Sequence, residues 1–193
     1  MLYKSIYFFL LGAKLIFAEE NSFVKFQKFI SCKENCIFTL EINQKQFGTI
    51  HKSLGTLQYI SKDYYIFDDP NQRIEYKGNA IKTINKNYKQ IIFDSYSKND
   101  FNILDIITGN NVGIVKENRK IDNGIVKASF YIDDWSIKGV LWTEIETGEP
   151  KKIKLITNED EQIEINILAS SFSRSDSLST LDTSGFEIIN LRE

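Results

Sequence analysis

The stretch from Phe47 to Phe93 constrains this chain more than any other. Short apolar-rich runs alternate there with polar punctuation: Leu57 to Ile60, Tyr64 to Phe67, Ile74 to Tyr76, Ala80 to Ile84, then Ile91 to Phe93. Each run has strand length and is rich in Ile, Tyr, Phe and Thr, side chains that suit a pleated, half-buried surface. Asp68-Asp69-Pro70-Asn71, Lys77-Gly78-Asn79 and Asn85-Lys86-Asn87 separate the runs and supply turn chemistry. The pattern predicts an antiparallel meander with one apolar face.

The flanks extend it. Ile37 to Gln44 alternates, with Phe38, Leu40 and Ile42 on one side and Thr39, Glu41 and Asn43 on the other. Upstream, Phe23, Phe26, Phe29 and Ile30 form one helical stripe within Asn21 to Ile30, and Asn21 or Ser22 can cap it. Downstream, Asp100 can cap a short apolar helix over Phe101 to Ile107 that Gly109 ends, with Phe101, Leu104 and Ile107 on one face.

The second half reads as further strands. Val126, Ala128, Phe130 and Ile132 alternate with polar residues; Lys138 to Glu146 carries Val140, Leu141 and Trp142. Thr147-Gly148-Glu149-Pro150 is a hairpin turn from which Ile153 and Leu155 return, and Ile163, Ile165 and Ile167 alternate after an acidic turn. Ser170 to Ser179 reads as a solvated loop, and the chain closes with Phe186 to Leu191. The fold class is mainly β, with two short helices (α+β).

Met1 to Ala18 reads as a signal peptide: Lys4 is its basic start, Ser5 to Ala13 its apolar run, and Ile16 and Ala18 the −3 and −1 positions. The apolar run is shorter than the ~20 residues that span a bilayer. No cysteine stands at the cleavage point, so the chain reads as exported and not lipid-anchored, with residues 19–193 as a single domain. Net charge is −2, or −4 without a leader carrying Lys4 and Lys14, which argues against nucleic acid as a partner. Cys32 and Cys36 stand close enough to pair as a disulfide in an oxidising compartment. A zinc site would need more ligands, and the single histidine, His51, lies in a polar, turn-like segment.

No catalytic constellation is present. His51 has no G-x-S-x-G partner, and there is neither a Walker loop nor a G-x-G-x-x-G. Paired carboxylates at Asp68/Asp69 and Asp133/Asp134 sit at predicted turns, where carboxylates are common anyway. The sequence therefore reads as a binding protein without cofactor, not an enzyme.

Several of these residues also stand in a familiar order. Phe38 and Gln44 near the first strand, then Gly55-Thr56-Leu57, then Tyr65, Phe67 and Pro70, then Gly78 with Gln90 twelve residues on, and a closing Gly185 to Arg192, together resemble the outer-membrane lipoprotein carrier (LolA) family. The resemblance covers roughly residues 22 to 192. It implies an incomplete antiparallel β-barrel or curved sheet with a helical lid over an apolar cavity, in a monomeric periplasmic chaperone. It implies as partners acylated lipoproteins, an inner-membrane lipoprotein-release transporter and an outer-membrane acceptor. A lipid- or glycolipid-binding or sensing protein on the same half-barrel is the alternative. The acyl cavity would be lined by Phe38, Leu40, Ile42, Leu57, Tyr59, Tyr65, Phe67, Ile91, Phe93, Leu104, Ile107, Val140 and Trp142, each of which also has a plain reading as core. The family often has an arginine, implicated in holding the lid, where this chain has Glu41.

Overall fold

The computed structural model describes residues 22–31, 35–95, 106–108, 118–133, 136–158, 160–172 and 180–192. Helix α1 spans Ser22–Ser31. Twelve strands follow: β1 Cys36–Gln46, β2 Thr49–Ser61, β3 Tyr64–Asp68, β4 Gln72–Lys77, β5 Ala80–Asn85, β6 Gln90–Ser95, β7 Asn118–Asp122, β8 Ile125–Ile132, β9 Ile137–Glu144, β10 Pro150–Ile156, β11 Gln162–Phe172 and β12 Glu187–Asn190. They form one sheet in the order β12-β6-β5-β4-β3-β2-β1-β11-β10-β9-β8-β7. The strands β2 to β6 are the meander read from the sequence, and β7 to β11 make a second one. β1 stands between them, paired with β2 on one side and β11 on the other.

The sheet is curved and open, an incomplete barrel with a helical cover, as the resemblance implies. Register irregularities at Thr39/Leu40, Tyr59/Ser61 and Pro150/Lys152 mark where strands bend. Such bulges raise local twist and let one face wrap a core. The ladders are antiparallel except the last, where β12 runs parallel to β6 with Glu187 opposite Gln90.

Register assigns each side chain to a face, because residues directly opposite one another point the same way. Phe38, Leu57, Phe67, Ile74, Thr83 and Ile92 stand side by side across β1 to β6. On the other side of β1, Ile42 continues through Ile165, Ile153, Leu141 and Ala128. This is the inner face, and α1 and the helical pair Ile106-Ile107 join its apolar cluster. The outer face carries Thr56, Asp68, Arg73, Ile84 and Ile91 in a matching row.

One expectation is corrected. His51 is not in a turn: it lies in β2, exposed, opposite Gln44, because β2 extends along β1 well beyond its apolar half. The closing strand read over Phe186 to Leu191 is found as β12, which residues 180–186 bring alongside β6 in parallel. The leader at residues 1–18, and the second helix apart from 106–108, lie outside the described residues.

Candidate functional site

The inner face gathers most of the largest fully buried side chains among the described residues. Phe38, Leu40, Leu57, Tyr65 and Ile107 are each 0 % exposed, and Tyr59 and Phe67 are buried beside them. Ile42 packs against this cluster while staying partly exposed. Tyr65 and Tyr76, opposite one another on β3 and β4, stack with ring centroids 4.8 Å apart and 15° between planes. Burial, with the Asp63 carboxylate adding to it, pushes the Tyr59 phenol above its ordinary pKa, so it stays neutral against the apolar wall.

Two glycines fit the wall to its rings. A Cβ on Gly55 would lie 2.7 Å from the Phe67 ring, and one on Gly139 would lie 2.0 Å from the Phe130 ring. In both places an aromatic ring occupies the space over a bare backbone. The glycine of Gly55-Thr56-Leu57 thus has a packing reason: Phe67 lies over Gly55, and Leu57 beside it faces inward.

α1 covers part of this wall with its predicted stripe of Phe23, Phe26, Phe29 and Ile30. Phe23 meets Phe130 edge-on at 4.9 Å, and Phe29 meets Phe172 at 6.1 Å. Lys25 Nζ donates to the Ile145 carbonyl at 2.8 Å, and Arg119 Nε donates to Ser22 Oγ at 3.1 Å. A helix of this length is about 15 Å long, whereas twelve strands at their usual spacing span about 50 Å of arc. The helix therefore caps a portion of the inner face.

Four residues expected in the cavity lie on the outer face. Ile91 and Phe93 point away from it, since Ile92 is the inward member of that run. Val140 and Trp142 likewise flank the inward Leu141. Continuous apolar runs give alternation no phase, which is why the sequence did not separate them. Each outer ring has another setting. Arg192 lies over Phe93 at 4.8 Å, and Lys127 and Lys152 lie over Trp142 at 5.2 and 5.3 Å. Leu104 lies outside the described residues. Tyr76 and Leu141 belong to the inner cluster and were not singled out; the pairing of Tyr76 with Tyr65 was the signal that could have found the first. Cys36 is buried on β1 opposite Tyr59, and its expected partner Cys32 lies outside the described residues.

Glu41 also faces outward. Its carboxylate accepts hydrogen bonds from Asn43 Nδ2 and Asn166 Nδ2, each at 3.0 Å, and these hold it below its ordinary pKa. A side chain at this position points away from α1, so it offers no hold on the helical cover.

The outer face carries a bonded polar cluster. Asp68 accepts from Arg73 Nε at 3.0 Å and Nη2 at 3.2 Å, and Lys86 Nζ lies 2.9 Å away. Burial works to raise the Asp68 pKa, yet hydrogen bonds and charge from Arg73 and Lys86 outweigh it and hold the carboxyl low. Asp69 Oδ1 accepts from the Asn71 and Gln72 amides at 2.7 and 2.8 Å, a turn-forming role. A cavity of about 380 Å³ lies between this face and residues 180–183, walled by Gln58, Tyr64, Arg73, Glu75, Lys82 and Leu181. Among the described residues no three His, Cys, Asp or Glu side chains gather as a metal site, and no helix is long and apolar enough to cross a membrane.

No family model matches the chain, and no curated protein matches it. Solved structures are similar to this chain. An uncharacterized conserved protein from Thermus thermophilus is similar at TM-score 0.59 and 6 % identity, over 88 % of this chain and 96 % of that one. A LolA superfamily protein from Nitrosomonas europaea is similar at TM-score 0.46 and 12 % identity, over 80 % of this chain and 93 % of that one. A DUF1329 family protein from Desulfovibrio piger is similar at TM-score 0.47 and 8 % identity, over 82 % and 93 %. At 6 % identity the likeness to the Thermus thermophilus protein is one of fold alone.

Proposed function

We propose that this chain is a periplasmic carrier that holds the acyl chains of lipoproteins on the inner face of its sheet. It would take them from an inner-membrane release transporter and pass them to an outer-membrane acceptor. The observation that carries this reading is a long curved apolar wall, part of whose cover among the described residues is a short helix that lies outside the sheet's ladders. Magnitudes support an exchange. Burying the four apolar residues of α1 contributes roughly 6 to 12 kcal/mol gross. An acyl chain of about a dozen methylenes contributes roughly 10 kcal/mol gross at about 0.8 per CH2. The two are close enough for cargo to replace the helix and for the helix to expel cargo. Aromatic and aliphatic walls hold an acyl tail without directional bonds, which suits release. Binding without catalysis accords with the lack of a catalytic motif in the sequence.

Native mass spectrometry of the protein purified without detergent, followed by lipid extraction, tests the reading. A bound acylated peptide or lipoprotein is the expected result. A bound phospholipid or glycolipid would replace the lipoprotein role with lipid binding or sensing. An empty protein that takes up no acylated probe would overturn both.

A further inference from the structure

The β1–β2 hairpin ends in a two-residue turn, Phe47-Gly48, after the paired Gln46 and Thr49. Both turn residues are left-handed, with φ of +48° and +78°. The β7–β8 hairpin has the same turn in Asn123-Gly124, with φ of +48° and +76°. Such a turn needs positive φ at both central residues, and Asn-Gly is the pair that tolerates it. A bulky residue there is strained, yet Phe47 occupies the place that Asn123 occupies in the other hairpin. Its ring is 81 % exposed, so no packing offsets the strain.

The surroundings share that character. β2 meets β3 from Thr56 onward, so the hairpin runs past the end of β3. Ile50 and Leu54 are 61 % and 55 % exposed, with Lys52 between them on the same side of the strand. From Ile42 to Leu54 the charged residues are Lys45 and Lys52, in a chain of net charge −2, and Glu41, opposite Leu54, feels the charge of Lys52. Lys45 lies 3.9 Å from Asp160 on the neighbouring turn. At the same end of the strands, the β5–β6 turn exposes Tyr88.

We propose that this end of the sheet, led by Phe47, inserts into the headgroup boundary of a lipid bilayer containing anionic lipids. A single protruding ring, flanked by aliphatics and lysines, requires no complementary pocket. It suits a fluid surface that yields around it. Apolar side chains on a lysine-bearing segment are the composition of interfacial anchors, and juxtamembrane lysines favour anionic headgroups. The inference goes beyond cargo binding and does not depend on it: a tip that binds vesicles on a protein that takes no acyl probe would keep this inference and lose the carrier reading.

Co-sedimentation with phosphatidylcholine vesicles, with and without phosphatidylglycerol, tests it. The intact protein should partition onto the mixed vesicles. Phe47→Asn should lower that partitioning by roughly tenfold, the loss of one aromatic anchor. It should also leave thermal stability equal or higher, because it gives this hairpin the turn chemistry of the other, so misfolding cannot imitate the result. Lys45→Gln with Lys52→Gln should weaken binding to the mixed vesicles and leave binding to pure phosphatidylcholine unchanged. Equal partitioning of the parent and Phe47→Asn, or of neither, would overturn the proposal. So would concentration-dependent self-association abolished by Phe47→Asn, which would assign the tip to a second copy of the chain.

Discussion

The two faces of the sheet are covered in different ways. On the inner face, α1 rests on Phe130 and Phe172 through aromatic edges, and it shares no ladder with the strands beneath. On the outer face, residues 180–183 lead into β12, which pairs with β6 and is tied by Gln90 Nε2 to Glu187 Oε2 at 3.0 Å. Leu191 N donates to the Phe93 carbonyl at 2.8 Å just beyond. A cover held mainly by burial can be exchanged for another apolar body of similar size, because burial is non-directional. A cover held by a ladder cannot leave without stranding donors and acceptors. The proposed carrier role requires the inner cover to be the replaceable one.

Substitutions that weaken one face and spare the other sharpen this contrast. Phe38→Ala should cost the most, about 3 to 5 kcal/mol in urea unfolding, since it empties the centre of the inner wall. Arg73→Met should cost about 2 kcal/mol, leaving Asp68 with Lys86 as a partner on the outer face, and should not alter uptake of an acylated probe. The same variant has a pH signature. The Asp68 pKa is lowered in the folded protein, so its contribution is full above the unfolded value, roughly 4, and disappears as pH falls through the folded value. Arg73→Met should flatten that acid limb of the stability curve.

Gly139→Ala comes next, at about 1 to 3 kcal/mol. Its methyl would enter the Phe130 ring, which must then move against Phe23 of α1. Faster uptake of an acylated probe, read by stopped-flow fluorescence, is the expected companion. Lys25→Met should have the smallest effect, about 1 kcal/mol, through loss of the bond to the Ile145 carbonyl. It too should speed uptake, and uptake slower than in the parent would count against α1 as the exchanging cover.

Much of the fold was legible in the residues. Ile37 to Gln44 and Ile163 to Ile167 alternate, and alternation names a face as well as a strand. The α1 stripe was equally plain, because Phe23, Phe26, Phe29 and Ile30 repeat at helical spacing. The candidate site was legible only where alternation held. Ile91-Ile92-Phe93 and Val140-Leu141-Trp142 are apolar throughout, and only the pairing register shows that Ile92 and Leu141 point inward. Ile84 is buried on the outer face, where residues 180–183 of the returning C-terminal segment bring cover to that side as well, a long-range contact without a local signature. His51 was misplaced for the opposite reason: the distal half of β2 pairs with β1 yet faces solvent, so hydrophobicity did not mark it.

The proposed carrier role puts the acyl chain on the inner face and not on the outer. Site-specific photo-crosslinking decides it most directly. A photoreactive phenylalanine analogue would be placed at Phe67 on the inner face or at Trp142 on the outer, and the protein loaded with a radiolabelled acylated peptide. Crosslinking of the acyl chain from Phe67 and none from Trp142 is the expected result. Crosslinking from Trp142, with none from Phe67, would contradict it.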